Sequence, residues 1–280
     1  MQPLLRLNEH PFKSKQNRQS IPCIDCTSRR NCLHRTLDLE KLEKLPNQYV
    51  HKFKIKKGDP IFHSGDDIHS IYNMKIGFAK VEYALPNGQH QINQFAIPGD
   101  LLGLDGIADG KHHLDAYALS DGEVCGISFI TLKNIMKLDS DISSLIERSM
   151  SEALNGTQEH IFSLGTHGAE EKLAYFLIDY RNRLNRLSLR TDTLRLPMSR
   201  EDLRSYLGVT IETLSRSFTY LENNGFIRVK NREIIFIDGS GLERFISTED
   251  LKLQLSHQIY GVKKFTTNAT FLSKERPHYS

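Results

Sequence analysis

Long apolar runs are missing from this 280-residue chain. No stretch approaches the roughly 18 apolar residues that a membrane-spanning helix needs. The opening Met1-Gln2-Pro3-Leu4-Leu5-Arg6-Leu7 breaks its apolar run too early for a secretory signal. Cysteine is scarce, with four residues in all. Together these absences predict a cytoplasmic protein with no membrane partner, whose thiols serve as ligands rather than as disulfides. A strong net charge is missing too, and the formal balance of +3 argues little for a polyanionic partner. The 39% hydrophobic content is ordinary for a soluble protein, and the length allows two domains, each with its own core.

The small net charge hides a segregation. Lys and Arg against Asp and Glu number 6 and 2 over residues 1–31, 12 and 18 over 37–165, and 12 and 9 over 166–236. An acidic middle between basic flanks suits a protein of which only one end meets an anionic partner.

Three of the four cysteines fall in Cys23-Ile24-Asp25-Cys26-Thr27-Ser28-Arg29-Arg30-Asn31-Cys32, and 92 residues separate Cys32 from Cys125. In a C-x2-C-x5-C spacing the first two sulfurs turn toward one centre and the third arrives from a short loop. A distant fourth then ties that loop to the body of the protein. Four thiols complete one metal or iron–sulfur site, and Arg29 and Arg30 favour thiolates and offset their charge. Other readings compete: a redox pair at Cys23 and Cys26 in a thiol enzyme, a structural zinc using His34 or Cys125, a disulfide signal, or a Cys125 that simply packs. No βαβ pattern surrounds the Cys23–Cys26 pair, which weighs against the thiol enzyme.

Residues 1–20 are polar and aperiodic, as in a disordered arm. A short helix is expected over Asp38–Leu45, ended by Pro46. From Gln48 to Ile127 short alternating apolar runs are punctuated by glycines and turn signals, which predicts an antiparallel sandwich or barrel. Its last strand, Glu123–Phe129, carries Cys125. The period then changes to about 3.6. Asp139 or Ser140 can cap a helix to Leu164, with Ile142, Ile146, Met150, Leu154, Thr157, Ile161 and Leu164 on one narrow seam. Ile146, Met150, Leu154, Thr157 and Ile161 are the candidate dimer interface. In the competing reading the seam packs on the chain's own sandwich, a role for which Leu145, Ala153 and Phe162 are otherwise available.

A further helix is expected from Ala169 to Leu187, then a strand-like Thr193–Leu196. Ser199-Arg200-Glu201-Asp202 has the capping-box form and opens a short helix that Gly208 ends. Thr210 caps the next helix, which runs to Asn223 or Asn224 before Gly225. Helix, short turn and helix make a helix-turn-helix, and Ile227–Lys230 with Glu233–Ile237 form a two-stranded wing. The second helix divides by face, with Leu214, Phe218 and Leu221 opposite Glu212, Ser215, Arg216 and Thr219. Arg216 can pair bidentately with guanine, Glu212 can accept from a cytosine amino group, and Ser215 can contact either kind of base. The bland alternative is a solvated face with an i,i+4 ion pair.

The predicted fold class is α+β. Residues 1–36 are expected to form an arm and cysteine loop, 37–138 an antiparallel β-roll and 139–165 a dimerisation helix. Residues 166–247 are a winged helix-turn-helix DNA-binding domain and 248–280 a tail without an assigned role.

From Cys23 to Ile237 the chain resembles the CRP/FNR superfamily of bacterial transcription regulators, and within it the oxygen-sensing FNR branch. The resemblance rests on the four-cysteine spacing, on Lys57-Gly58-Asp59-Pro60-Ile61-Phe62, Gly65-Asp66 and Pro98-Gly99-Asp100-Leu101-Leu102-Gly103, and on Thr210-Ile211-Glu212-Thr213-Leu214-Ser215-Arg216. It implies that Cys23, Cys26, Cys32 and Cys125 ligate a 4Fe-4S cluster. It also implies a homodimer that binds a palindromic DNA site of TTGAT-type halves and contacts RNA polymerase, and a dimer that falls apart when oxygen degrades the cluster. Activity as an enzyme is not implied. Two departures matter. Leu104 replaces the acid, and Leu114-Asp115 the Arg-Ser pair, of the nucleotide-phosphate cassette, so no cyclic nucleotide is expected. Thr157 stands where FNR has an aspartate, so the dimer is expected to be stronger for want of that repulsion.

Overall fold

The computed structural model describes Cys32 and residues 50–85, 87–187 and 191–246. The arm at 1–20, Cys23, Cys26, the expected helix at 38–45 and the tail from 248 lie outside the described residues.

Eight strands build the first domain: β1 (Val50–Ile55), β2 (Pro60–Phe62), β3 (Ser70–Ile76), β4 (Ala79–Ala84), β5 (His90–Ala96), β6 (Leu101–Leu102), β7 (Asp115–Ala118) and β8 (Gly122–Ser128). They form two antiparallel four-stranded sheets, ordered β1-β8-β3-β6 and β2-β7-β4-β5. Ile61, Phe62, Met74, Ala116 and Val124 fill the space between them. Alternation along the first sheet then sends Ile71 and Ile127 to its outer face. Gly122 begins β8 because the chain passes so close to β3 that a Cβ there would lie 2.1 Å from the Ile76 carbonyl oxygen.

The last strand begins and ends one residue earlier than the sequence predicts. The Ser128 hydroxyl accepts from the Thr131 N–H at 3.4 Å and caps α1 (Phe129–Leu138). The residues at the join, Ile127, Phe129, Ile130 and Thr131, are β-branched or aromatic and prolong the strand signal past the point where the cap turns the chain. After α1 the Asp139 side chain accepts from the N–H groups of Asp141 (2.9 Å) and Ile142 (3.3 Å) and starts α2 (Ser140–Thr166).

The first turns of α2 pack on the outer face of the sheet. Ile142 and Ile146 are 2% and 1% exposed, against Ile71, Ile127, Phe129 and Leu132. Ile146, expected on the dimer seam, is thus enclosed within its own chain. The face of α2 that a partner can reach begins at Met150, one turn further on.

The second domain comprises α3 (Ala169–Arg186), β9 (Thr193–Arg195), α4 (Arg200–Leu207), α5 (Ile211–Asn223), β10 (Ile227–Lys230), β11 (Glu233–Phe236) and α6 (Gly239–Phe245). Leu173, Leu177 and Tyr180 of α3 share a core with Leu203, Leu214 and Phe218, and that core reaches across to Ile92 and Phe95 of β5. The wing is a three-stranded sheet, β10-β11-β9, rather than the expected pair of strands. Leu194, 1% exposed, sits opposite the fully buried Ile234, and this apolar pair brings β9 into the sheet.

Ile142→Ala should remove about 2–5 kcal/mol of stability in chemical denaturation, as expected for a large-to-small change in a closed cluster. A loss below about 1 kcal/mol would mean that something other than this cluster holds the foot of α2.

Candidate functional site

The helix-turn-helix is set by local chemistry. The Ser199 hydroxyl accepts from the Asp202 N–H (3.0 Å), and an Asp202 carboxylate oxygen accepts from the Ser199 N–H (2.9 Å), closing the capping box of α4. Gly208, at φ 62°, ends α4 in the left-handed region that favours glycine. The Thr210 hydroxyl accepts from the Thr213 N–H at 3.2 Å and begins α5. The guanidinium of Arg200 lies 3.5 Å over the Phe218 ring, which fixes α4 against α5. At the other end of α5 the Glu222 carboxylate accepts from the Val229 N–H (2.7 Å), tying the helix to the wing.

Leu214, Phe218 and Leu221 of α5 are buried, and Glu212, Ser215, Arg216 and Thr219 are all exposed on the opposite side. The Glu212 carboxyl is held below the usual carboxylate range, first by its own backbone N–H at the helix start, then by the Thr210 hydroxyl and the Arg216 and Arg204 charges. It is therefore an acceptor. Ser215 donates to the Ile211 carbonyl (3.0 Å) and Thr219 to the Ser215 carbonyl (3.1 Å), so their hydroxyl protons are taken within the helix. A donor fork at Arg216 beside an acceptor at Glu212 matches the alternating polar groups of a major-groove edge.

Sequence reasoning confined to α5 misses a second basic row. Arg195, Arg228, Lys230 and Arg232 are exposed on or between the wing strands. Arg228 and Lys230 alternate with the inward Ile227 and Val229, and that period of two was the available signal. Such a row suits phosphate oxygens rather than base edges.

The cysteine face is separate. Cys125 lies on β8 between Lys52 of β1 and Asn73 of β3, half-buried, on the same outer face as Ile127. Cys32 is also half-buried. Cys23 and Cys26 lie outside the described residues.

Asp115, expected to repel a phosphate, already accepts from the His63 ring (3.0 Å) and the Ser64 N–H (3.2 Å). Sequence reasoning overlooked Asp105 beside it. This carboxylate accepts from the N–H groups of His113 (2.7 Å) and Leu114 (3.1 Å) and lies 3.4 Å from the His112 ring. Burial pushes Asp105 up, but His112 and the two amides outweigh burial and hold it below its ordinary range. An internal anion thus occupies backbone donors of this turn.

Along α2, Met150, Leu154 and Ile161 are 41%, 58% and 62% exposed, and Thr157 is exposed with its hydroxyl donating to the Ala153 carbonyl (3.0 Å). Of the three residues expected to pack on the chain's own domain, only Leu145 does so. Ala153 and Phe162 are exposed, because α2 leaves the sheet after its first turns.

A two-sheet roll, a long helix with an exposed apolar stripe and a winged helix-turn-helix with a polar outward face define a DNA-binding transcription regulator. Residues 52–139 match the cyclic nucleotide-binding domain family and residues 171–245 the Crp-like helix-turn-helix domain family. The chain is 33% identical over 223 residues to the fumarate and nitrate reduction regulatory protein of Escherichia coli, covering 80% of this chain and 89% of that protein. It is 34% identical over 236 residues to the anaerobic regulatory protein of Haemophilus influenzae, covering 84% and 92%. Electron transport regulator A of Shewanella oneidensis is 34% identical over 233 residues, covering 81% and 93%. Among solved structures, FixK2 from Bradyrhizobium japonicum superposes with a TM-score of 0.65 at 27% identity, over 70% of this chain and 96% of that one. The chain belongs to the CRP/FNR family of transcription regulators, on its FNR branch, and is not an enzyme.

Arg216→Ala is expected to weaken binding to a cognate duplex by about 1–3 kcal/mol and to relax preference at one guanine. Fluorescence anisotropy against duplexes varied at each position checks this, and an equal loss on every sequence would assign Arg216 to phosphate instead.

Proposed function

We propose that this protein is an oxygen-responsive regulator of anaerobic genes, in which an iron–sulfur centre favours a homodimer that reads a palindromic site of TTGAT-type halves. Its relatives carry names that refer to anaerobic regulation and to fumarate and nitrate reduction. The observation that carries the reading is the position of Cys125 on the outer sheet face that also seats the foot of α2.

The donor set fits such a centre. Four thiols at Cys23, Cys26, Cys32 and Cys125 would hold a 4Fe-4S cluster. Cys125 sits opposite Lys52, a cation that offsets the charge of a thiolate ligand. When bound, the cluster supplies an oxygen-labile tie between the N-terminal loop and β8. Cys125 is two residues from Ile127, which helps to bury Ile142 and Ile146, so a load on that face of β8 reaches the base of α2 directly. A loop anchored at Cys125 in one arrangement of α2 and released in the other shifts the population by the difference in its binding to the two.

Met150, Leu154, Thr157 and Ile161 form the stripe that meets a second copy. Paired copies set two α5 helices about 34 Å apart, in successive major grooves, and a lone subunit loses that joint affinity. RNA polymerase is the remaining partner, and the protein acts in the cytoplasm. No cyclic nucleotide takes part, since Asp105 and Asp115 place carboxylates where a phosphate would need donors.

Two measurements test the reading. Protein purified without oxygen should contain about four irons per chain, a count that Cys125→Ala should abolish, and a pulse of air should bleach its visible absorbance as DNA affinity falls. Stoichiometric zinc or no iron would remove the proposed signal while leaving a DNA-binding protein. Leu154→Glu should yield monomer in sedimentation, whereas the wild-type apo form should retain dimer at tens of micromolar because Thr157 carries no charge. Only monomer in the wild-type apo form would overturn that role for Thr157.

A further inference from the structure

The helix-turn-helix is seated on the roll by a contact between α4 and β5. β5 is the outermost strand of the sheet β2-β7-β4-β5, so among the described residues one of its edges has no strand partner. The last turn of α4 takes that place. The Ile92 N–H donates to the Ser205 hydroxyl at 3.1 Å, and that hydroxyl donates to the His90 carbonyl at 3.2 Å. In return the Gln91 side-chain amide of β5 donates to the carbonyls of Ser205 (2.5 Å) and Tyr206 (3.4 Å) in the last turn of α4, where the Gly208 N–H also reaches Ser205 at 3.3 Å. Each element satisfies the other's backbone groups, and Ser205 is 5% exposed.

A charge pair lies at the other end of the same helix. Lys80 of β4 reaches an Asp202 oxygen at 3.0 Å and a Glu82 oxygen at 2.8 Å. The side chains of Lys80 and Asp202 are 19% and 14% exposed, so solvent screens the pair only in part. Burial lowers the Lys80 ammonium, but its two carboxylate partners outweigh burial and raise it overall. Burial raises Asp202, but Ser199 and Lys80 outweigh it, so both ends stay charged. On a third side the His160 ring of α2 stacks on Tyr206 of α4, with centroids 4.0 Å apart. In this seat Glu212, Ser215, Arg216 and Thr219 of α5 all remain exposed.

We propose that Lys80, Gln91 and Ser205 are positioning residues for DNA reading: they fix α4 to β4 and to the edge of β5 and so set the direction in which α5 faces in the dimer. The inference rests on the dimeric reading above. A head free to swing still meets a single half-site, but it loses the effective concentration with which the second head meets its own half-site.

The test uses full-length protein purified without oxygen, duplexes with two inverted TTGAT half-sites or with one, and amide exchange across β5. For Lys80→Gln combined with Ser205→Ala, affinity for the two-site duplex should fall roughly tenfold or more. Affinity for the one-site duplex and the sedimentation coefficient should stay close to wild type. The Ile92 amide should exchange faster, and Lys80→Arg should restore most of the loss seen for Lys80→Gln alone. Unchanged or tighter two-site binding, or an unchanged Ile92 amide, would overturn the proposal. A wild-type protein with no preference for two sites over one would instead sink the dimeric reading, and the exchange arm would still decide whether the seat exists.

Discussion

The alternation of side chains along β8 is the constraint on which the rest of the structure depends. Val124 points between the sheets and completes the roll, while Cys125 and Ile127 point outward. A slip of one residue would exchange these faces, putting a thiol in the core and an apolar valine on the outer face. β8 also has neighbours on both edges, β1 and β3, which leaves it little freedom to adjust. One strand therefore serves as core wall, as carrier of Cys125 and as base for the long helix.

Much of this architecture was legible in the sequence because it depends on local chemistry. The caps at Asp139, Ser199 and Thr210 and the glycine stops at Gly208 and Gly225 are short-range signals, and each lies at a helix boundary in the structure. The polar and apolar faces of α5 follow from its period alone. What stayed hidden depends on distant parts of the chain. α1 is concealed by residues that favour strands, and β9 joins the wing only because Leu194 finds Ile234. The burial of Ile146 could not be read from the seam, since the apolar period is the same whether the partner is a second copy or the chain's own sheet. Asp105 escaped notice for a related reason: its meaning comes from two amides eight and nine residues away in a loop, a spacing that no helix or strand period reveals.

The two exposed polar surfaces of the second domain differ in chemistry. α5 offers mixed polarity, with a carboxylate and a guanidinium in neighbouring turns, and such a face discriminates because mismatched donors and acceptors are costly. The wing offers cations in a row, which adds attraction to any duplex. The middle of the chain repels polyanions through its acidic excess, so that only one orientation of the protein approaches DNA favourably.

Asp202 joins two functions in one carboxylate. One oxygen closes the cap of α4 on Ser199, and the other receives Lys80 from the roll. Because the folded protein holds this group below its ordinary range, its stabilising contribution is complete above the unfolded pKa and fades as pH falls through the folded one. Acid should therefore weaken the cap of α4 and its tie to Lys80 together. The covalent linkage between the domains runs through α2 and α3, and beside the shared core and the Ser205 contact Asp202 adds a link that a protein built from independent modules would not need.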